Sequence, residues 1–391
     1  MQKKLIALAV AGLVSAPAFA QSNVTVYGVV DAYVGFGSHG DNDFSGVNSA
    51  GLSGSRIGFR GTEDLGNGLK AVFTVEQGFA VDSGTGLGDA SRQAFVGLNG
   101  GFGTVSLGRQ YAPGYHATAN YDVFGAAAVS PLAILVGAPS AINGTFYEDG
   151  VAVETLPKLN GLSIAPNSAA RWNNSVAYTG SFSGLTVRGI YSANAVETNT
   201  YKQDGDDIVR TAKPRDDDAW GLGVDYANGP LAVGAVYHYL KGSTNQKEWL
   251  LAGSYDFGVV KLLASYQEGD NASFVKDLDV KVWQVGALVP VSAAGNVHVA
   301  YGEAKYDLEG SAKAKSFGVA YTHALSKRTT AYAGANYTKN DDGLTLGAVP
   351  AAQGAVDYNS GATAEGLGFK GNLAESGEKS KIFVVGVRHT F

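Results

Sequence analysis

The sequence contains no cysteine. That excludes a disulfide framework, a thiolate metal centre and a cysteine nucleophile. Proline is scarce too, 10 residues among 391, so extended segments can run without interruption. Basic charge is in the minority: 29 Lys and Arg stand against 35 Asp and Glu, a net −6. No continuous basic stripe offsets this, and no nucleic-acid partner is expected. After the first twenty residues, no apolar run approaches the ~20 residues of a membrane-crossing helix. No G-x-S-x-G occurs, so a nucleophile elbow is unsupported. The six histidines (His39, His116, His238, His298, His323 and His389) show no ligand spacing, and no metal or cofactor is expected. Gly84-Thr85-Gly86-Leu87-Gly88 precedes no helical pattern and reads as a loop.

What is present begins with MQKKLIALAVAGLVSAPAFA. Lys3 and Lys4 precede an apolar run from Leu5 to Val14, and Ala18-Phe19-Ala20 follows. This is the order of a secretory signal peptide, with cleavage expected after Ala20. A membrane anchor is the weaker reading, because the run ends near Pro17. Residues 1–20 are therefore assigned as signal and 21–391 as one barrel domain. Losing Lys3 and Lys4 leaves 27 basic residues against 35 acidic ones, a net −8. An exported chain without disulfides needs another source of stability. Glycine is abundant, 54 residues, with 20 tyrosines and 17 phenylalanines. This is a strand-and-turn composition.

Alternation of period two recurs along the chain. In VTVYGVVDAYV, Val24, Val26, Gly28, Val30, Ala32 and Val34 share one face. In AWGLGVDY, Trp220, Leu222, Val224 and Tyr226 alternate with glycine and aspartate. KSFGVAYTH does the same with Phe317, Val319, Tyr321 and His323. Sixteen strands are expected near 23–37, 53–62, 69–80, 91–98, 103–111, 170–179, 185–194, 218–227, 231–241, 247–256, 259–268, 280–290, 296–306, 314–324, 328–338 and 379–391. Some breaks are tight, such as Gly66-Asn67-Gly68 and Asn228-Gly229-Pro230. Others are long and polar, at 196–217, 269–279 and 339–378. Short turns alternating with long loops, and an even strand number, describe an antiparallel transmembrane β-barrel. Sixteen strands leave a lumen wide enough for water.

The segment KIFVVGVRHTF shows why a barrel suits this pattern. Phe383, Val385, Val387 and Phe391 fall on one face, and Arg388 falls on the other. In lipid every backbone polar group must be paired internally, and a closed barrel achieves this without an edge. The apolar face then meets lipid, Phe391 joins an aromatic girdle, and Arg388 faces water.

VTVYGVVDA (24–32), SRIGFRGTEDLGNGLKAVFTVEQGF (55–79), SRQAFVGLNGGFGTVSLGRQY (91–111), RWNNSVAYTG (171–180) and VGVRHTF (385–391) resemble the general porins of Gram-negative bacteria, neisserial (β-proteobacterial) type. The resemblance runs the length of the chain and is densest in its N-terminal quarter. It implies a sixteen-stranded outer-membrane barrel, a homotrimer, and a third extracellular loop folded into each pore. It implies a diffusion channel for small hydrophilic solutes, inserted by the outer-membrane assembly machinery with Phe391 as part of the signal. Segment 112–169 departs from the pattern. Its FGAAAVSPLAILVGAPSAING is rich in small apolar residues, and part of it could be a surface excursion.

A channel is specified by its radius and by the charges at its narrowest point. Alternation places Arg56 and Arg60 opposite Ile57 and Phe59. It places Arg171 opposite Trp172, Asn174, Val176 and Tyr178, and Arg188 opposite Val187 and Tyr191. With Phe95 and Gln93 outward, Arg92 points in. The resemblance supports Arg56, Arg92 and Arg171 as a basic ladder on the lumen wall, and Arg388 also faces inward. Inward acids are Asp31, Glu76 and Asp225. The constricting loop contributes Asp122, Glu148, Asp149 and Glu154. A basic wall against an acidic loop predicts a transverse field and a modest anion preference. The alternative is that these arginines only pair with carboxylates and carbonyls. Arg109 shares parity with Val105 and Leu107; a rim, a bulge or a subunit contact could explain it, and it is not counted as a pore residue. Competing functions are a sugar- or phosphate-specific channel, a barrel lipid hydrolase and an adhesin. The first needs a row of inward aromatics, and only Tyr27 and Tyr33 are seen. The second needs an activated serine and histidine at the outer rim. The third is separated by deleting loops while measuring conductance.

Overall fold

The computed structural model describes residues 23–84, 86, 91–137, 145–148, 151–155, 164–165, 168–193, 201–204, 207–210, 218–242, 244–272, 276–307, 311–342, 344, 346–347 and 377–391. The expected signal segment lies outside them. The strands are β1 (Asn23–His39), β2 (Asn42–Ser49), β3 (Arg56–Gly66), β4 (Leu69–Gly78), β5 (Ser91–Gly100), β6 (Gly103–Tyr111), β7 (Thr145–Glu148), β8 (Val151–Thr155), β9 (Arg171–Phe182), β10 (Leu185–Ser192) and β11 (Tyr201–Asp204). They continue as β12 (Asp207–Arg210), β13 (Ala219–Asn228), β14 (Leu231–Leu240), β15 (Gln246–Asp256), β16 (Lys261–Asp270), β17 (Asp279–Pro290), β18 (Gly295–Asp307), β19 (Ala312–Ala324), β20 (Thr329–Asn340) and β21 (Lys379–Thr390).

Each strand of the main sheet pairs antiparallel with its neighbour, and β1 pairs with β21 from Val29↔Thr390 to His39↔Ser380. The sheet is therefore closed. β7–β8 and β11–β12 are separate two-stranded hairpins. The main sheet contains seventeen strand segments, because one stave is broken. The lower half of β1 pairs with β3, and its upper half pairs with β2. Together β2 and β3 form one stave, which gives the sixteen-stranded barrel.

Asp31 causes the break. Its carboxylate accepts N–H bonds from Gly51, Leu52 and Ser53 at 3.1, 2.8 and 2.9 Å, and an O–H bond from Tyr332 at 2.5 Å. Four donors on one buried carboxylate hold residues 50–55 out of the ladder. β2 itself was not expected from sequence, because FGSHGDNDFSGVNS interrupts its apolar positions with glycine, asparagine and aspartate.

The outward face is apolar. Along β21, Phe383, Val385, Val387 and Phe391 are exposed, and Ser380, Ile382 and Val384 are buried on the inner side. Aromatics border the outward band at both ends. Tyr301, Phe317, Tyr337, Phe36 and Phe383 lie toward the long loops; Tyr321, Tyr255, Phe257 and Phe391 lie toward the short turns. His323 and His389 sit in the latter border, bonded to Tyr321 and Thr329 hydroxyls at 2.9 Å. On β21 the two aromatic ends are eight residues apart, roughly 27 Å along the strand. A tilt of ~40° reduces this to about 20 Å along the normal, comparable with the band of an outer-membrane barrel.

Candidate functional site

After β6 the chain turns inside the barrel. A helix, Pro113–Asn120, starts with proline at its first turn, where its missing N–H costs nothing. A second short helix, Pro131–Leu135, is capped by Ser130 Oγ, which accepts from Ala133 N–H at 3.1 Å. Between them the chain crosses the inner wall from β13 to β20. Gly114 donates its N–H to His238 Nε2 at 3.0 Å. The Val123 carbonyl accepts from His298 Nδ1 at 2.7 Å, and the Val129 carbonyl accepts from Asn336 Nδ2 at 3.2 Å. Tyr306 O–H donates to the carbonyls of Leu135 and Gly137 at 2.9 and 3.0 Å.

Glycines on the wall make this approach possible. A Cβ at Gly318 would stand 2.5 Å from the Val129 carbonyl oxygen, and one at Gly302 would stand 2.9 Å from Leu135. The apolar run FGAAAVSPLAILV now has a role. Phe124, Val129, Leu132, Ile134 and Leu135 are buried with Val280, Val282, Ala304, Tyr306 and Ala314 of the wall. Residues 113–137 are an inward-folded loop and not a surface excursion.

Asp122 was expected to be a loop acid facing the pore; the structure corrects that. It is buried, and its oxygens accept from Phe124 N–H (3.1 Å), Ala126 N–H (2.8 Å), Ser130 O–H (2.6 Å) and Gln284 Nε2 (3.3 Å). Burial pushes its pKa above the ordinary carboxylate value, while these donors act against the shift. Its carboxylate shapes the loop and does not line water. Glu148 ends β7 and Glu154 lies in β8; Asp149 lies outside the described residues.

The arginines converge on Glu76. Arg92 Nε lies 2.8 Å from its Oε1, and Arg56 Nε lies 3.5 Å from its Oε2. Tyr27 donates to Oε2 at 3.0 Å, and Tyr111 donates to Oε1 at 3.2 Å. Arg92 Nη2 donates to Tyr111 O–H at 2.8 Å. Arg171 lies over the Tyr111 ring, 5.5 Å from its centroid, and Tyr111 stacks on Tyr115 of the loop at 4.0 Å. Two guanidiniums thus flank one carboxylate, and a third, that of Arg171, stands beside them on the Tyr111 ring, so the cluster carries an excess of two positive charges. Arg56, with 23 % of its side chain accessible, is more open than Arg92 with 6 %. Arg60 is exposed on the same face of β3, its guanidinium 5.1 Å from the Tyr27 centroid.

The other expected residues have different settings. Arg188 pairs with Asp225, which also accepts from Tyr121 O–H at 3.3 Å. That group ties the loop to the wall and carries no excess charge. Arg388 stands opposite Asp31 in the β1–β21 ladder.

Simple alternation fails at two places near the cluster. Phe95 pairs with Thr74, and Gln93 pairs with Glu76, so both lie on the lumen face. Arg92 reaches the lumen because the β4–β5 register slips between Glu76 and Gln77, opposite Ser91 and Gln93. The residue expected inward is inward, for a reason that parity did not contain. Trp172 was expected to face lipid; it is fully buried inside, its indole N–H on the Ala169 carbonyl at 3.0 Å and its ring against His238. Two irregularities beside it break the alternation: Asn174 has φ +49°, and the β6–β9 register shifts between Gly108 and Gln110, with Gly108 at φ +134°. The bulge also accounts for Arg109, which donates to the Ser91 carbonyl at 2.7 Å and to Asn173. Tyr111 was not picked out from sequence, because it shares the parity of Val105 and Leu107 until the bulge turns it. The only available sign was Gly108 within the strand.

The profile of the family described as Gram-negative porin matches residues 7–343. Outer membrane porin protein 32 of Delftia acidovorans is 34 % identical over all of both chains. An outer membrane porin protein of Bordetella pertussis is 29 % identical over 87 % of this chain and 95 % of its own. Major outer membrane protein P.IB of Neisseria gonorrhoeae is 44 % identical, over 32 % of this chain and 36 % of its own. Among solved structures, the anion-selective porin from Comamonas acidovorans aligns with a TM-score of 0.71 and 28 % identity, over 95 % of this chain and all of its own. OmpT of Vibrio cholerae, in a form lacking one loop, aligns at 0.60 over 95 % of this chain and 99 % of its own; at 15 % identity it speaks to the fold alone. The closed barrel, the loop laid across its lumen and these matches agree: the chain belongs to the Gram-negative porin family and is a channel of the outer membrane.

Proposed function

We propose that the channel passes small hydrophilic solutes passively, with a modest preference for anions set by Arg56, Arg60, Arg92 and Arg171. The observation that carries this is the excess of guanidinium over carboxylate around Glu76, beside the inward loop. A low-dielectric wall and a narrow aqueous gap let such charges act on a passing ion. The acidic excess of the whole chain does not bear on this region, since Asp122 is consumed within the loop and Asp225 is paired. The solved relative whose title reads anion-selective is in keeping with the reading. Assembly as a homotrimer, cleavage of residues 1–20 and use of Phe391 in barrel insertion belong to the same proposal.

The test is the zero-current potential of the purified protein in planar bilayers across a potassium chloride gradient. The wild type should favour chloride, most at low salt, because the Debye length falls from ~10 Å at 0.1 M to ~3 Å at 1 M. Replacing Arg56 and Arg60 together with Gln should move the potential toward cations with the barrel intact, since both are accessible to the lumen. A wild type that favours cations at low salt would overturn the assignment.

A further inference from the structure

One step below the arginine cluster, toward the short turns, the lumen wall carries a row that includes an aromatic ring. Thr25 of β1, Arg60 of β3, Thr74 of β4 and Phe95 of β5 stand directly opposite one another from strand to strand. With Thr62 and Thr104 they line a cavity of about 430 Å³. Phe95 is half-buried, and its ring meets no other aromatic ring among the described residues. Gly108 opposite it on β6, and Gly97 beyond it on β5, have no side chain to cover it. A phenyl ring standing alone in a water-filled lumen gains from a planar apolar partner, through removal of both faces from water and offset stacking.

The same row holds an uncommitted cation. Arg60 is exposed, with its guanidinium 5.1 Å from the Tyr27 centroid and no ion pair among the described residues. The carboxylates nearest in the ladder are engaged elsewhere. Glu76 holds Arg92 and Arg56, and Asp64 stands opposite Lys70 at the periplasmic mouth. Arg60 and Phe95 are two strands apart, about 10 Å between backbones, with only Thr74 between them. A carboxylate attached directly to a ring is short for this gap. A ring joined to its carboxylate by two carbons reaches about 9 Å from ring centre to donor, hydrogen bond included.

We propose that this row is a binding subsite for aryl-alkanoic carboxylates crossing the pore, with the ring on Phe95 and the carboxylate on Arg60. It names a substrate class for the channel, and it rests on the function proposed above in taking Arg60 as open to the lumen. A small inorganic anion would use Arg60 and leave Phe95 without a role. A neutral sugar would use the threonine hydroxyls and leave Arg60 without one. A site on a conduction path must also release its solute, so the affinity belongs in the millimolar range.

The experiment is block of the chloride current through the purified protein in planar bilayers. The probes are hydrocinnamate (a phenyl ring, two methylenes and a carboxylate), hexanoate, which has the charge without the ring, and hydrocinnamamide, which has the ring without the charge. Hydrocinnamate should half-block at a concentration roughly ten-fold below either of the others. Phe95→Ser should bring hydrocinnamate to the level of hexanoate, and Arg60→Gln should bring it to the level of the amide. Thr74→Gln, which fills the floor between the two residues, should weaken hydrocinnamate several-fold more than hexanoate. The current before addition shows that each variant forms a channel; should Phe95→Ser form none, Thr74→Gln decides alone. Equal block of the wild type by hydrocinnamate and hexanoate, or a preference for the ring that survives Phe95→Ser, would overturn the proposal. The zero-current potential keeps the two proposals apart. Chloride preference with equal block would overturn the subsite alone; cation preference with the ring preference retained would overturn the anion assignment and support the subsite.

Discussion

Glu76 is the residue on which the pore chemistry turns. Its carboxylate holds Arg92 at 2.8 Å and Arg56 at 3.5 Å, and it accepts from two tyrosines. Glu76→Gln leaves the arginines without a counter-charge. Removing one partner of a buried pair costs about 3–5 kcal/mol, and Arg92 and Glu76 are both nearly inaccessible. The variant should therefore unfold at lower temperature and, where folded, favour anions more strongly than wild type. Differential thermal unfolding and the zero-current potential measure the two effects; a stability unchanged from wild type would mean that Arg92 finds another partner. Arg92→Gln should also destabilise, whereas Arg56→Gln should act mainly on selectivity. Sequence placed these arginines together but could not rank them. The ranking depends on Tyr27, Tyr111 and the two bulges, and a bulge is one residue of slippage that leaves composition and periodicity almost unchanged.

At the scale of elements, the strands were legible because lipid and water impose opposite demands on alternate residues. β13 and β19 obey this rule along most of their length, and their expected spans differ from the observed ones by about two residues. β2 and the loop were not legible in the same way. β2 lacks a clean apolar face, and the loop's small apolar residues only make sense once the glycine-lined wall they pack against is known. The loop's seat gives a direct prediction. Gly318→Val would drive a side chain into the Val129 carbonyl, 2.5 Å from its Cβ. The wall is fixed by its ladders to β18 and β20, so the loop should yield. The barrel should remain folded, and single-channel conductance should become larger or unsteady. Unaltered conductance would mean that residues 123–136 do not bound the ion path. The lipid face provides the matching contrast. Val387 lies midway between Phe383 and Phe391, where arginine costs roughly 2–4 kcal/mol near the midplane. Thr390 lies on the inner parity, so Thr390→Arg should be tolerated in an unfolding titration that Val387→Arg fails.

For the whole molecule, the decisive feature is closure, and it rests on a single seam. Eleven residue pairs join β1 to β21 from Val29↔Thr390 to His39↔Ser380. Phe391 extends that seam: its carbonyl accepts from Gly28 N–H at 3.0 Å, and its N–H donates to the Gly28 carbonyl at 3.1 Å. Its ring lies over Gly28, where a Cβ would stand 2.3 Å from the ring edge. Glycine at 28 and phenylalanine at 391 are thus one fitted contact at the periplasmic end of the seam. Until β1 and β21 meet, both edges carry unpaired backbone groups, and lipid offers them no partner. A defect here should reduce the yield of closed barrels more than it softens barrels already closed. Phe391→Asp places a charge in the girdle, and Gly28→Leu pushes the ring away from the other side. Both should lower the fraction of chain recovered in the outer membrane as heat-modifiable, protease-resistant barrel. The remainder should accumulate as protease-sensitive chain in the periplasm. Arg388→Gln, three residues away but facing the lumen, should leave that fraction near wild type. Normal yield from both seam variants would show that closure does not depend on this contact, and a loss with Arg388→Gln equal to theirs would place the effect in the strand as a whole.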